Sequence, residues 1–256
     1  MGVVRVDREQ YVLDALARDG HLSVAALAGD LGVSEVTIRA TLRSLESRGL
    51  LARTWGGAKP TSIRDVLERA PQHAPEKSAI ARAAAELVVD NDTVFIEAGT
   101  TTAQVVRYLG ERTGVQIVTN STLVFAYARA LSGIEVILTG GRFHRGSESL
   151  VGPLAVRGVD GFNARLAFVG TDGFSAERGL TTQFAEGAEV IQAMRRRAEE
   201  TWLLADSSKY AMTGFVSVLD LSALTGLITD NGLDSAARTE LAGITPQVRV
   251  VVEGVN

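Results

Sequence analysis

The stretch Leu22–Ala58, LSVAALAGDLGVSEVTIRATLRSLESRGLLARTWGGA, constrains the fold more than any other part of the chain. Val24, Leu27, Ala28 and Leu31 recur at helical spacing and give a first segment one apolar face. Gly32 interrupts it. Ser34 then stands where a side-chain oxygen can accept a backbone N–H at the start of a second helix. Ile38, Leu42 and Leu45 lay a buried stripe along that helix. Two short helices joined by a tight turn containing glycine make a helix-turn-helix.

The opposite face carries the functional argument. At about 100° per residue, Val36, Ala40 and Arg43 lie away from the stripe, flanked by Thr37 and Arg39. Guanidinium groups, a hydroxyl and small apolar side chains near a helix N-terminus suit the major groove of DNA. Ser34, Thr37, Arg39 and Arg43 are therefore the candidate DNA-binding residues of the helix. After Gly49, the run Leu50–Gly57 reads as a hairpin, or wing, in which Arg53 adds a cation and Trp55 a ring. A small helical domain whose arginines are merely solvated fits the same pattern. Ahead of the motif, Asp7–Arg18 reads as a helix ended by Gly20, with Val12, Leu13 and Leu16 inward and Arg8 outward.

VSEVTIRATLRSLESRGLLARTWGGA resembles the winged helix-turn-helix of the DeoR family of bacterial transcriptional regulators. In that family the motif usually runs on from TIR with Arg and Asp before Leu; here Ala40 and Thr41 take those two places. Ala40 lies on the outward face, so one cationic contact expected from the resemblance is missing.

Charge distribution bears on such a partner. The net charge is −4, but residues 1–60 hold eight Lys or Arg against seven Asp or Glu, while the rest hold 18 against 23. A near-neutral reader on an acidic body binds DNA through a local patch, since screening confines charge effects to roughly 10 Å. The weak field predicts that binding requires a homo-oligomer, dimer or tetramer. The chain has no cysteine, which excludes disulfides and thiolate metal sites and suits a reducing cytoplasm. No apolar run approaches membrane-spanning length, so no membrane partner is expected.

The expected organisation is a DNA-binding domain over 1–58, a connector over 59–75 marked by Pro60, Pro71 and Pro75, and an α/β domain over 76–256. A short helix over Ile63–Ala70 is expected within the connector. In the last domain short apolar strands alternate with helices: Thr93–Glu97, Gln116–Thr119, Glu135–Thr139, Leu166–Gly170, Thr201–Ala205, Leu224–Thr229 and Val248–Val252 read as strands. Helices are predicted over Lys77–Val89, Thr101–Leu109, Leu123–Leu131, Ala185–Ala198 and Asp234–Leu241. That alternation predicts a mainly parallel sheet covered on both faces.

Ligands of such sheets bind beyond the carboxyl ends of the strands. Those ends read Glu97-Ala98-Gly99-Thr100-Thr101-Thr102, Thr119-Asn120-Ser121, Gly140-Gly141, Thr171-Asp172-Gly173, Asp206-Ser207-Ser208-Lys209 and Thr229-Asp230. Hydroxyls, amides and carboxylates at nearly every end describe a polar pocket. Gly99, Thr100, Thr101 and Thr102 open a predicted helix, an arrangement that favours an anion, although an ordinary threonine cap has the same sequence. Lys209 fits an anionic substituent or a sugar hydroxyl; a solvated lysine is the plainer reading.

AGTTT, VTNS, the GG of LTGG, the DG of GTDG, GLTT and DSSKY match, in order, the effector half of DeoR-type regulators. That resemblance implies a domain of the sugar-phosphate isomerase/CoA-transferase-like type. By it, Thr100–Thr102 would take a phosphate, with Asn120, Gly141, Asp172 and Lys209 around the sugar. Glu97 stands where the family more often has Asp, and its longer side chain would reach further into the pocket. The resulting expectation is a cytoplasmic transcriptional regulator and not an enzyme, without cofactor or metal. It would repress a sugar-metabolism operon by binding double-stranded operator DNA, and a phosphorylated sugar or polyol would modulate that binding. The rival is an active sugar-phosphate isomerase or deaminase carrying a helix-turn-helix, with Glu97, Asp172, Asp206 and Lys209 as acid–base groups. A third reading, a nucleoid-type protein, predicts no preference between operator and random DNA.

Overall fold

Burial follows the predicted stripes in the N-terminal unit, Met1–Glu68, of the computed structural model. The structure describes residues 3–19, 21–47, 51–59 and 66–252. The expected helix stop at Gly20, the break at Gly49 and residues 60–65 of the expected connector lie outside them. Helices α1 (Val3–Asp19), α2 (Val24–Leu31) and α3 (Glu35–Ser47) pack with strands β1 (Leu22–Ser23), β2 (Ala52–Thr54) and β3 (Gly57–Lys59). The strands form an antiparallel sheet in the order β1-β3-β2, with Ala58 opposite both Leu22 and Arg53. Val12, Leu16, Val24, Leu27, Ile38, Leu42 and Leu45 form its core with Leu51 and Ala58. Gly32, at φ 62°, closes α2 in the left-handed region that glycine adopts without strain.

Arg8 departs from the outward placement expected of it. Its Nε donates to Thr41 Oγ1 at 3.0 Å, and Thr41 Oγ1 donates to the Thr37 carbonyl at 3.0 Å. Thr41 is buried as a result, and the two side chains tie α1 to α3.

The C-terminal unit, Arg69–Asn256, is built on a seven-stranded parallel sheet. Its strands are β4 (Thr93–Ile96), β5 (Val115–Thr119), β6 (Ile134–Leu138), β9 (Ala164–Val169), β12 (Ala198–Leu204), β14 (Gly226–Asp230) and β15 (Gln247–Val251). The intervening numbers belong to a hairpin, β7 (Arg142–His144) with β8 (Ser149–Val151), and to an antiparallel trio, β10 (Gly173–Ser175), β11 (Gly179–Thr182) and β13 (Val216–Leu219). The sheet order is β15-β14-β12-β9-β4-β5-β6. The chain therefore begins mid-sheet at β4, steps outward to β6, and returns to β9 on the other side of β4.

Both faces are covered because successive side chains point to opposite faces. Val94, Ile96, Phe168 and Leu204 pack under α5 (Ala74–Ala85), the short helix Thr102–Tyr108 and α6 (Thr122–Ala128). Phe95, Val118 and Ala167 meet α7 (Pro153–Asp160) and α8 (Ala185–Arg197) on the other face. Helix α9 (Ser235–Ala242) starts at its cap Asp234, whose Oδ1 accepts from the Ala237 amide at 2.8 Å. The predicted helix over Thr101–Leu109 is instead a seven-residue 3-10 helix, and the predicted short helix before Ala70 is one turn, α4 (Val66–Arg69). No helix of the described residues is long and apolar enough to cross a membrane.

Asp92, at the foot of β4, joins the two halves of the sheet. It is buried, its Oδ1 accepts from Arg165 Nε at 2.8 Å and from the Thr93 amide at 3.0 Å, and its Oδ2 accepts from Arg165 Nη2 and the Val89 amide. Asp92→Ala strands two backbone donors and a guanidinium, so urea unfolding is expected to show a loss of about 2–4 kcal/mol. A loss near zero would show that the pairing of β4 with β9 does not rest on this cluster.

Candidate functional site

In the N-terminal unit the candidate DNA residues divide into two groups. Ser34 Oγ accepts the Thr37 amide at 3.2 Å and pairs with Thr37 Oγ1 at 2.9 Å, so both hydroxyls are committed to starting α3. Arg53 is held by Glu46: Nε meets Oε2 at 2.6 Å and the Arg53 amide donates to Oε1 at 3.1 Å. Those bonds keep the Glu46 carboxyl below its ordinary range and pin β2 to the last turns of α3. Arg39 pairs with Glu35, at 3.1 Å with both side chains about half exposed, an ion pair weak enough to exchange for a phosphate. Arg43 is exposed, as are Val36 and Ala40 beside it. Trp55, in the turn between β2 and β3, is fully exposed. Arg39 and Arg43 are the available cations of the predicted set.

In the C-terminal unit a cavity of about 100 Å³ opens over the ends of β4, β9 and β12, the three middle strands. One water needs roughly 15 Å³ on such a measure, so the space suits a metabolite. Its position follows from topology. The order in which the chain adds strands reverses between β4 and β9, and neighbouring connections leave to opposite faces there, opening a crevice. Glu97, just after β4, spans that crevice: its Oε2 accepts from the Gly170 amide, just after β9, at 3.1 Å.

Gly99, Thr100, Thr101, Thr102, Asp172 and Lys209 all line this cavity. Their availability differs. Thr102 is fully buried, and its hydroxyl donates to the carbonyls of Glu97 (2.7 Å) and Gly99 (3.2 Å). Asp172 Oδ1 accepts from Arg69 Nη1 at 2.8 Å, while Oδ2 accepts from Thr182 Oγ1 and the Gln183 amide, both at 3.0 Å. The Lys209 loop is fixed from below by Asp230, which accepts from the Ser207 amide at 2.6 Å and the Ser207 hydroxyl at 2.8 Å.

Asn120 and Gly141 do not line the cavity. Asn120 is buried, with Oδ1 accepting from the Ala98 amide at 3.1 Å and Nδ2 donating to the Leu150 carbonyl at 3.2 Å. It ties the segments that follow β4 and β5 to β8, with both its side-chain oxygen and its nitrogen engaged. Gly141 has φ 118°, and a Cβ there would lie 2.7 Å from the Val151 carbonyl oxygen, so close packing against β8 accounts for the glycine. His144 also has a structural place. It stacks on Phe184 at 4.5 Å and bonds Ser147 Oγ through Nδ1 at 2.7 Å.

Two cavity cations escaped the sequence reading. Lys77 is 3% exposed and its Nζ donates to the Arg69 carbonyl at 2.6 Å; Arg69 lines the cavity beside it. Lys77 falls on the same helical face as Ile80, Ala81, Ala84 and Val88, all fully buried. A lysine within an apolar stripe is a legible signal. Arg69, among the prolines, gives none. Among the described residues no cluster of His, Asp or Glu could hold a metal ion.

Burial dominates the electrostatics. Desolvation pushes the Glu97 carboxyl from its ordinary 4.5 up to about 8, with Asp172 adding to the rise while the Gly170 amide and Arg69 oppose it. Glu97 is therefore protonated at neutral pH. Arg69, Lys77 and Lys209 then face two carboxylates, Asp172 and Asp206, in one cavity. Between about pH 4.5 and 8 the folded chain keeps a proton that the unfolded chain releases, so this group makes stability fall as pH rises. Glu97→Gln removes that dependence. Thermal unfolding between pH 5 and 9 is expected to show a flatter profile, with a gain at pH 9 bounded at roughly 5 kcal/mol by the size of the shift. A variant profile as steep as the native one would show that Glu97 does not titrate in this window.

Comparison with known proteins agrees with both halves. Residues 8–64 match the DeoR-like helix-turn-helix domain, and residues 72–231 match the DeoR C terminal sensor domain. The HTH-type transcriptional regulator GlpR of Haloferax volcanii is 36% identical, with 97% of this chain and 98% of that protein covered. The HTH-type transcriptional repressor CsqR of Escherichia coli is 30% identical over 91% of each chain, and the regulator IolR of Bacillus subtilis 30% over 91% and 93%. Among solved structures, ribose 5-phosphate isomerase from Plasmodium falciparum overlaps 54% of each chain at 16% identity and a TM-score of 0.38, too distant to bear on activity. The chain belongs to the DeoR family of transcriptional regulators, with a helix-turn-helix domain followed by the family's sensor domain.

Proposed function

We propose that this regulator represses a sugar-metabolism operon in the cytoplasm, and that a phosphorylated sugar or polyol in the cavity between β4 and β9 modulates its hold on operator DNA. The observation that carries this reading is the charge in that cavity: three cations, two of them lysines, against two carboxylates while Glu97 keeps its proton. Such a site attracts an anion and still offers Thr100, Thr101 and carboxylate oxygens to hydroxyl groups. Arg39 and Arg43 approach the groove, and Trp55 meets the backbone or minor groove from the wing. Two copies, one per half-site, supply the affinity that one near-neutral reader lacks. For a ligand to switch such an assembly it must favour one arrangement over another.

Glu97, Asp172, Asp206 and Lys209 do share one cavity, which is what an isomerase or deaminase would require. Their bonds argue the other way. Glu97 accepts from the Gly170 amide, Asp206 from the amide and hydroxyl of Ser208, and Asp172 from three donors. Turnover of phosphopentoses or amino-sugar phosphates at ordinary enzyme rates would favour the rival.

Thermal-shift screening against three- to six-carbon sugar phosphates is expected to find a specific binder that raises the melting temperature. Lys209→Ala should abolish that shift and leave affinity for operator DNA unchanged. Arg43→Ala should keep the shift and weaken operator binding about 10- to 100-fold, the range of one good base contact. If operator affinity is the same with and without every binder found, the proposed switch is wrong.

A further inference from the structure

We propose that two copies of the chain pair through the outer edge of β6, antiparallel about Val136, so that their two sheets run on as one. This locates the association on which the reading of paired half-sites rests, and its test needs no operator.

Strand β6 is the last of its sheet, paired with β5 over Ile134–Leu138 in unbroken register. The ladder fixes which groups look outward. The Val115 amide donates to the Gly133 carbonyl at 3.3 Å, and the Thr139 amide to the Thr119 carbonyl at 3.0 Å. Backbone direction alternates along a strand, so residues 133, 135, 137 and 139 turn to β5. Ile134, Val136 and Leu138 turn away from it. The Ile134 amide is used by the Leu131 carbonyl at 3.3 Å. Among the described residues the Val136 and Leu138 amides have no backbone acceptor.

Exposed edges in proteins are usually blunted by lysine, proline or a bulge. The sequence of β6, IEVIL, carries none of these. At the opposite edge β15 centres on Arg249, whose guanidinium is held by Glu86 and the Ala83 carbonyl. Centring that strand on its own copy would set Arg249 against Arg249.

The β6 edge is instead complementary to itself. With Val136 opposite Val136 of the second copy, the two exchange both hydrogen bonds, and each Leu138 amide reaches the Ile134 carbonyl of the other copy. Every free amide of the edge is then used. Ile134 faces Leu138 on the side covered by α6, where Leu138 and, on the helix, Phe125 are exposed. Glu135 lies opposite Ile137, and its Oε2 is drawn back over β5 by Gln116 Nε2 at 3.1 Å. A slip that centred the pairing on Glu135 would place two carboxylates opposite each other, which is destabilising. This match in hydrogen bonds, side chains and charge singles out a second copy as the occupant.

The test uses the full-length chain, which has no cysteine of its own. Residues directly opposite in a non-hydrogen-bonded pair stand about 4.5 Å apart at Cα, within disulfide reach. Glu135→Cys combined with Ile137→Cys is therefore expected to give a covalent dimer on mild oxidation. Either substitution alone is expected to give none, because the diagonal is about 7–8 Å. Leu138→Lys, at an exposed position, is expected to weaken self-association in sedimentation roughly tenfold or more, since two cross-strand pairs are lost. A folded double variant that stays unlinked would overturn the proposal. So would linking by either single variant, which reports another register, or a native chain that sediments as a monomer. Native self-association in Leu138→Lys also overturns it, and decides should the double variant fold poorly. If the covalent dimer forms but binds operator no tighter than Leu138→Lys does, the interface stands and the proposed reading of paired half-sites fails.

Discussion

The hydrogen bond from the Gly170 amide to Glu97 Oε2 sits at the point on which the sensor unit depends. A parallel sheet buried on both faces leaves few places where a polar ligand can reach the backbone. The chain produces one by starting at mid-sheet, building outward through β5 and β6, and restarting at β9 on the other side. The strands are paired along their length, with Ile96 opposite Phe168, and they part immediately beyond. Glu97 closes the base of that gap, and the cavity lies above it.

Closing the gap with a carboxyl group has an electrostatic consequence. An ionised carboxylate buried there would be costly, and burial instead raises its pKa until the group is neutral at physiological pH. The same desolvation acts on Lys77 in the opposite sense, lowering its pKa, and Asp206 counteracts it. Asp206 thus partly offsets the burial of Lys77, while one negative charge is withdrawn from the floor. Positive character arises by silencing an acid, with no excess of basic residues in a unit whose sequence is acidic overall.

Features set by local periodicity were legible in the sequence. The stripe Ile38, Leu42 and Leu45 is fully buried, and β4, β9 and β12 end within two residues of the polar runs that begin at Glu97, Thr171 and Asp206. What escaped reading depends on partners far along the chain. Arg8 looked solvated until Thr41, 33 residues away, gave it a partner. Arg53 looked free until Glu46 engaged it. Asn120 and Gly141 belong to motifs that accompany the site, yet their chemistry is consumed in holding β8 against the strand ends. Arg69 is paired with Asp172, 103 residues later, and no local pattern foretells such a pairing.

Glu97 shows how one extra methylene is used. Its length was expected to carry the carboxyl further into the pocket. In the structure that length carries Oε2 across to the neighbouring strand, where a Cβ at position 170 would stand 3.3 Å from the same oxygen. Glycine at 170 is therefore matched to glutamate at 97: any larger residue would crowd the oxygen. A shorter aspartate at position 97 would leave the Gly170 amide without this acceptor and widen the base of the crevice. The departure from the family's more frequent residue thus acts on the floor of the site, through its depth and its charge, before it acts on any ligand directly.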